Sequence, residues 1–382
     1  MEIRKPHQIF SAALLALIAP TLLPCPLQAL PPNYVVQDLG TFGGPNSSGG
    51  GINNTGQVTG GSYLPGSGTS GIPQGVSHPF VFSNGSMNDL GTLGGDLSSG
   101  RAINDAGQVA GSSDVGEFTS HAFLFSNASM HDLGTLGGYS SHGSGINNAG
   151  QVTGTSLLAN QRTNHAFLFS DGSMRDLGTL GGVFSVGSGI NNIGQVVGYS
   201  WLAGGSDNHP FLYSDGSMSD LGSLGGRDGA ASDINDSGQI TGGSRLAGNS
   251  IFHAFRFSNG HMTDLGTLGG SSSNGYAIND SGQVVGYSDI TGGGIQHAFL
   301  WSGGTMYDLN SLVANLASSG FTSLNYASDI NDSGWIVGTG TIAGGQSHAF
   351  LAQVLPEPAS TGLLGLGAIL LAVRRQRPVF GD

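Results

Sequence analysis

The residues best placed to do chemistry are seven histidines. Each opens a His-Ala-Phe or His-Pro-Phe tripeptide, at His78, His121, His165, His209, His253, His297 and His348, with spacings of 43, 44, 44, 44, 44 and 51. Histidine is the commonest metal ligand, so seven equivalent imidazoles invite a metal reading. A sevenfold set fits no common coordination geometry. A polar residue that defines a repeat ordinarily bonds a neighbouring strand or turn, and that role is expected of each histidine, with no metal site and no cofactor.

Other candidates reduce to turn chemistry. Asn279-Asp280-Ser281-Gly282 and its equivalents offer one acid at most, where a calcium loop alternates acids and adds a late glutamate. Asn and Asp cap their own turns and tolerate left-handed backbone, which accounts for them. Leu-Gly-Thr-Leu-Gly-Gly is rich in glycine, but residues 30–355 contain no lysine and no glycine fingerprint opening a helix, which argues against a nucleotide. Departures from the repeat include Trp201, Arg227, Arg256, Trp301 and Trp335, with insertions near residues 63–77 and 310–325. Tryptophans can stack on sugars, but packing in the core or at the rim is the expected role. No nucleophile–base pair stands out, so no catalytic residue is assigned.

The elements that carry these residues recur with them. Asp-Leu-Gly or Asp-Leu-Asn begins at Asp38, Asp89, Asp132, Asp176, Asp220, Asp264 and Asp308, and Ile-Asn-x-x-Gly begins at Ile52, Ile103, Ile146, Ile190, Ile234, Ile278 and Ile330. In one unit, His165–Ser170 reads as a strand, Asp171-Gly172 as a type I′ turn and Ser173–Gly178 as a second strand. A third strand lies around Ser188–Ile190, and Gln195–Ser200 is the fourth. Four strands in about 44 residues is the size of a propeller blade.

The ends of the repeat favour a closed ring over a solenoid. The first unit starts at Tyr34 without its His-Ala-Phe strand, and the last stops after His348–Val354, which is that strand alone. Together they make one whole unit, and closure leaves no open edge. The expected fold is all-β: a seven-bladed β-propeller of four-stranded blades, closed by pairing of its terminal strands, over residues 30–355. A signal helix and a short C-terminal hydrophobic helix flank it.

Composition agrees. The chain has 69 glycines in 382 residues, and 38% of residues are hydrophobic, enough for a core. Between residues 30 and 355, six arginines face 21 acids, a net charge of −15. Such a field repels nucleic acid and anionic lipid. The sole cysteine, Cys25, lies in the leader, so the domain has no disulfide.

Residues 1–29 read as a signal peptide: Arg4 and Lys5, an apolar run from Phe10 to Leu23, and a signal-peptidase cut after Ala29. The tail, 356–382, runs Pro356-Glu357-Pro358, an apolar helix over 359–373, then Arg374, Arg375 and Arg377. An apolar run that short makes a temporary stop rather than a lasting span, with the arginines held inside. This tail resembles the PEP-CTERM sorting signal of Gram-negative bacteria, also known as the ice-binding-protein C-terminal type. Five residues, Pro378 to Asp382, extend beyond the family pattern. The resemblance implies transient inner-membrane insertion, cleavage by an exosortase-type enzyme, and final placement at the cell surface or outside it. The repeat resembles the HAF-repeat family of extracellular proteins, which implies a setting but no activity. The resulting expectation is a non-enzymatic surface or matrix protein that binds extracellular polysaccharide. The alternative is a secreted glycan-active hydrolase or lyase.

Overall fold

The computed structural model describes residues 31–67, 75–116, 119–205, 207–248 and 251–356. The signal helix, the Ala29 cleavage site, the C-terminal helix and the sorting residues Glu357, Pro358, Arg374, Arg375 and Arg377 lie outside the described residues.

Among the described residues, twenty-eight strands form seven separate four-stranded antiparallel sheets. Each sheet is one blade of a β-propeller. The innermost strands of blades one to seven are Ser47–Ile52, Ser98–Ile103, Gly137–Ile146, Gly181–Ile190, Gly225–Ile234, Gly269–Ile278 and Phe321–Ile330. In blade four the order outward is Gly181–Ile190, Val196–Leu202, Asn208–Ser214 and Ser217–Asp220. The His-Ala-Phe strand is therefore third from the axis. The blade runs out of phase with the unit read from sequence, which began at that strand.

Local chemistry explains the turns. Between the third and fourth strands, Asp171 and Gly172 take φ of 52° and 77°, the type I′ geometry expected. Between the first and second strands, Asn191 Oδ1 accepts from the Gln195 backbone N–H at 2.9 Å, while its Nδ2 donates to Gln195 Oε1 at 2.8 Å. In the Leu-Gly-Thr-Leu-Gly-Gly link, Thr179 Oγ1 donates to the Gly182 carbonyl at 2.9 Å, so the glycine-rich segment is a backbone turn.

The core lies between blades. Phe80, Phe123, Phe167, Phe211, Phe255, Phe299 and Phe350 are fully buried, one per third strand. A glycine on the second strand admits each ring: a Cβ on Gly154 would stand 2.9 Å from the Phe167 ring and collide with the His142 carbonyl oxygen. The small residue is required by close approach of backbone to backbone.

Closure occurs in blade seven. Tyr34–Asp38 pairs antiparallel with Ser347–Val354, Tyr34 opposite Val354 and Asp38 opposite Phe350. The N-terminal strand is the outermost member of a blade whose other three strands end the ring. The 310–325 insertion covers that outer strand: Asn315 Oδ1 accepts from the Val36 N–H at 2.8 Å and its Nδ2 donates to the Val36 carbonyl at 2.9 Å.

Candidate functional site

All seven histidines occupy equivalent places. Each Nδ1 lies 2.8 or 2.9 Å from a carboxylate oxygen of the Asp-Leu motif on the outermost strand, as in His165 with Asp176 and His209 with Asp220. The carboxylate also takes a backbone N–H two residues on; Asp176 accepts from Gly178 at 2.7 Å. In blade six Asp308 accepts from the Asn310 backbone N–H in the same way. The Asn310 side chain adds a tie to the next blade, its Oδ1 accepting from the Leu324 N–H at 2.7 Å and its Nδ2 donating to the Leu324 carbonyl at 3.0 Å. One aspartate thus ties a third strand to the turn leaving the fourth. Among the described residues no group of three His, Cys, Asp or Glu is arranged to hold a metal ion.

The two faces of the ring differ. At the narrow face the Ile-Asn turns form two concentric hydrogen-bonded circles. In the inner circle each Asn Nδ2 donates to the carbonyl of the equivalent Asn one blade on, from Asn53 to Asn104 at 2.9 Å round to Asn331 to Asn53 at 3.1 Å. In the outer circle each next residue's N–H donates to its counterpart's side-chain oxygen, as from Asp236 to Asp280 Oδ1 at 3.0 Å and from Asp332 to Asn54 Oδ1 at 3.0 Å. The acid of the Asn-Asp-Ser-Gly turn therefore serves the neighbouring blade, whereas its own turn is capped by the Asn alone. Both termini of the ring reach this face: Tyr34 Oη donates to the Gly334 carbonyl at 3.2 Å, and the Leu355 N–H donates to the Asn33 carbonyl at 2.8 Å. Pro356, the first sorting residue, follows directly.

The opposite face opens into a mouth, and here the repeat breaks. Two places before each Ile stand Gly50, Arg101, Ser144, Ser188, Ser232, Tyr276 and Ser328; four places before it stand Ser48, Ser99, His142, Val186, Ala230, Asn274 and Tyr326. The nearer series lines the channel, where a bulge in each innermost strand lets the residue just before the Ile reach it as well. Ser48, Ser99, His142 and Tyr326 of the farther series line the mouth. Two adjoining hollows of about 590 and 600 Å³ share Ser48, Arg101, Ser112, His142 and Tyr326. Tyr276 continues the wall and lies 5.5 Å, ring to ring, from Tyr287 on the second strand of its blade. Burial pushes the Tyr276 hydroxyl up to about 12, so it stays a neutral donor. His142 Nδ1 lies 3.2 Å from Ser112 Oγ, and burial followed by the Arg101 charge holds its pKa down. Asp114, raised by burial, sits on the rim of the same hollow.

Deeper in, a cavity of about 170 Å³ is flanked by Asp233 and Asp329, where other blades carry Gly or Ala. Asp233 Oδ2 accepts from the Ile278 N–H at 3.0 Å, and Asp329 Oδ2 from the Ile52 N–H at 2.8 Å, so each acid staples its blade to the next. Burial raises Asp233 to about 6; burial and then the charge of Asp233 raise Asp329 to about 8.

The tryptophans divide between the faces. Trp335 and Trp301 pack against interblade cores, and Arg256 lies over the Trp301 ring at 5.6 Å. Trp201 ends the second strand of blade four on the mouth side, 5.5 Å from Phe184. The repeat-based reading missed Arg101, His142, Tyr276, Tyr326, Asp233 and Asp329. Aligning the seven units on the Ile of Ile-Asn-x-x-Gly would have exposed all six as departures.

Residues 354–377 match the PEP-CTERM protein-sorting motif. This is an exported protein sorted to the cell surface. Motifs of this kind are generally processed by an exosortase-type enzyme. Among the described residues no helix is long and apolar enough to cross a membrane. No curated protein matches the chain. Similar solved structures include a putative TolB from Agrobacterium tumefaciens, at 12% identity and TM-score 0.43 over 61% of this chain and 87% of that one. A gluconolactonase from Xanthomonas campestris shows 8% identity and TM-score 0.40 over 85% of this chain and 96% of that one. A sialidase from Trypanosoma rangeli shows 10% identity and TM-score 0.36 over 91% and 60%.

Proposed function

We propose that this protein is a non-enzymatic component of the cell envelope or extracellular matrix that binds polysaccharide in the mouth of the propeller. The observation that carries the reading is the break in the repeat: Tyr276, Tyr326 and a row of serines line an open hollow, with Tyr287 packed behind Tyr276. Aromatic faces stack on sugar rings, and hydroxyl groups match sugar hydroxyls in kind. The hollow lies within the range usual for ligand sites. Its placement also suits a surface binder, because the chain leaves the ring for the sorting motif on the opposite face.

On this reading the chain is one of the HAF-repeat extracellular proteins. Signal peptidase cuts after Ala29, and the 359–373 segment inserts transiently in the inner membrane before exosortase-type cleavage. The tail orients the ring with its mouth away from the point of attachment.

A glycan-active enzyme is the competing reading, and one feature favours it: Asp233 and Asp329 are carboxyl groups in a channel with raised pKa values. Both are engaged by backbone N–H groups of the next blade, which suits a staple better than a reacting acid. A glycan array with residues 31–356, which contain every strand of the ring, tests the choice. Saturable binding without product supports the binding role, and turnover of any glycan overturns it.

A further inference from the structure

We infer that the mouth selects acidic polysaccharide, with the carboxylate of a uronic acid unit seated on the Arg101 guanidinium beside the His142 imidazole and the sugar ring against the Tyr276 and Tyr326 wall. The inference rests on the glycan reading above and names its ligand class.

Arg101 is the starting point. Of the other five arginines of the ring, Arg162 is exposed in an outer turn and lines neither hollow, and the remaining four have internal engagements. Arg227 pairs with Asp207, Arg245 Nε lies 3.0 Å from Asp228, and Arg175 and Arg256 lie over the rings of Tyr213 and Trp301. Arg101 is exposed on an innermost strand, where its counterparts are glycine, serine or tyrosine. Among the described residues no carboxylate is within ion-pair distance of it and no hydrogen bond engages it. A planar guanidinium facing an open hollow, free to make a bidentate contact, is suited to a carboxylate.

The net charge of the ring does not oppose this assignment at close range. Seven of its acids are engaged by the histidines near the outer strands, and four line the narrow face at Asp105, Asp236, Asp280 and Asp332. Charges more than about 8 Å away are largely screened at physiological salt. Of the residues lining the two hollows, Asp114 is the one carboxylate, and Ser120 and the Leu97 N–H hold it at the rim. It is placed to accept from sugar hydroxyls while the acid group lies on Arg101.

His142 adds a pH dependence. Arg101 on the inner strand of blade two, Asp114 and Ser112 on the second strand of that blade, and the tyrosines across the hollow surround it. Its pKa is held down in the empty site by burial and the Arg101 charge, and a carboxylate arriving beside it acts in the opposite direction. Affinity for an acidic sugar should therefore rise as pH falls from 8 to 5.5, where a uronate remains ionised.

The test is calorimetric titration of the full chain with a tetragalacturonate, a neutral galactose tetramer and a sulfated galactose tetramer. The inference expects the uronate to bind at least about tenfold tighter than either other ligand. It expects Arg101→Gln to bring the acidic-to-neutral preference close to unity with an unchanged melting temperature, and Arg101→Lys to restore part of it. It expects His142→Gln to reduce the pH dependence, the remainder following Asp233 and Asp329, which flank the deeper cavity that Arg101 also lines. Equal binding of the neutral tetramer, or an unchanged preference in Arg101→Gln, overturns it. Equal binding of the sulfated tetramer overturns the carboxylate assignment. Binding of none of the three removes the glycan reading itself, whereas binding of the neutral tetramer alone removes only this inference.

Discussion

His348 Nδ1 lies 2.8 Å from a carboxylate oxygen of Asp38, across 310 positions of the chain. In the other blades the same pair joins strands linked by a two-residue hairpin, but here it joins the two ends of the ring. The outer strand of blade seven is held by its pairing, by Asn315, by the Ala314 N–H on the Tyr34 carbonyl, by Tyr34 Oη on the Gly334 carbonyl, by burial of Tyr34 and Val36, and by this contact, and no hairpin joins it to the strand beside it. Opening it requires no other blade to unfold, so it should be the first local unit to separate. His348→Ala should expose residues 31–39 to limited proteolysis and speed amide exchange there. His209→Ala, made inside a continuous blade, should leave that segment protected. Equal protection in both variants would show that the seam is not weaker than the rest.

Glycine on each second strand is predicted to be irreplaceable by the smallest side chain. In Gly154→Ala the added methyl meets the His142 carbonyl and the Phe167 ring, both fixed by the sheet and the interblade core. Overpacking of this kind typically costs about 1–3 kcal/mol. Thermal unfolding should show a loss of several degrees. Gly172→Ala offers a contrast, since nothing lies within 4 Å of a Cβ there and the cost comes only from its φ of 77°.

Much of this architecture was legible in the chain, for a physical reason. Each blade needs the same His–Asp tie, the same type I′ turn and the same Asn cap, so three motifs recur in register and count the blades. Complementary ends at Tyr34 and Val354 revealed closure. The phase of the blade was not legible, because a repeat has a period but no marked origin. Only the missing pairing between Asp38 and Ser47 shows where one sheet ends and the next begins. The mouth was hidden for the opposite reason. Arg101, His142, Tyr276 and Tyr326 differ from the repeat at positions that tolerate many side chains, because those positions face open space. A search for shared residues passes over them.

The sorting motif makes a cellular prediction. If Pro356-Glu357-Pro358 is the element read by the sorting enzyme, replacing all three with alanine should leave the protein in the membrane fraction. Cell fractionation and the mass of the released form decide it. Unchanged release would mean that these residues are not read.

The two channel acids predict a particular pH dependence of stability. Unfolded, Asp233 and Asp329 would titrate near the usual value of about 3.9. Folded, burial raises them to about 6 and about 8, so between pH 4 and 8 the native ring binds more protons than the unfolded chain. Stability must then fall as pH rises through that window. The contribution is fully present below pH 4 and is lost as each carboxyl ionises in the channel. Asn in place of Asp329 keeps an oxygen to accept from the Ile52 N–H without the charge. Asp329→Asn should raise the melting temperature at pH 8 by a few degrees, change it little at pH 5, and flatten the profile between them. A wild-type melting temperature that climbs from pH 5 to 8 would contradict the direction of both shifts.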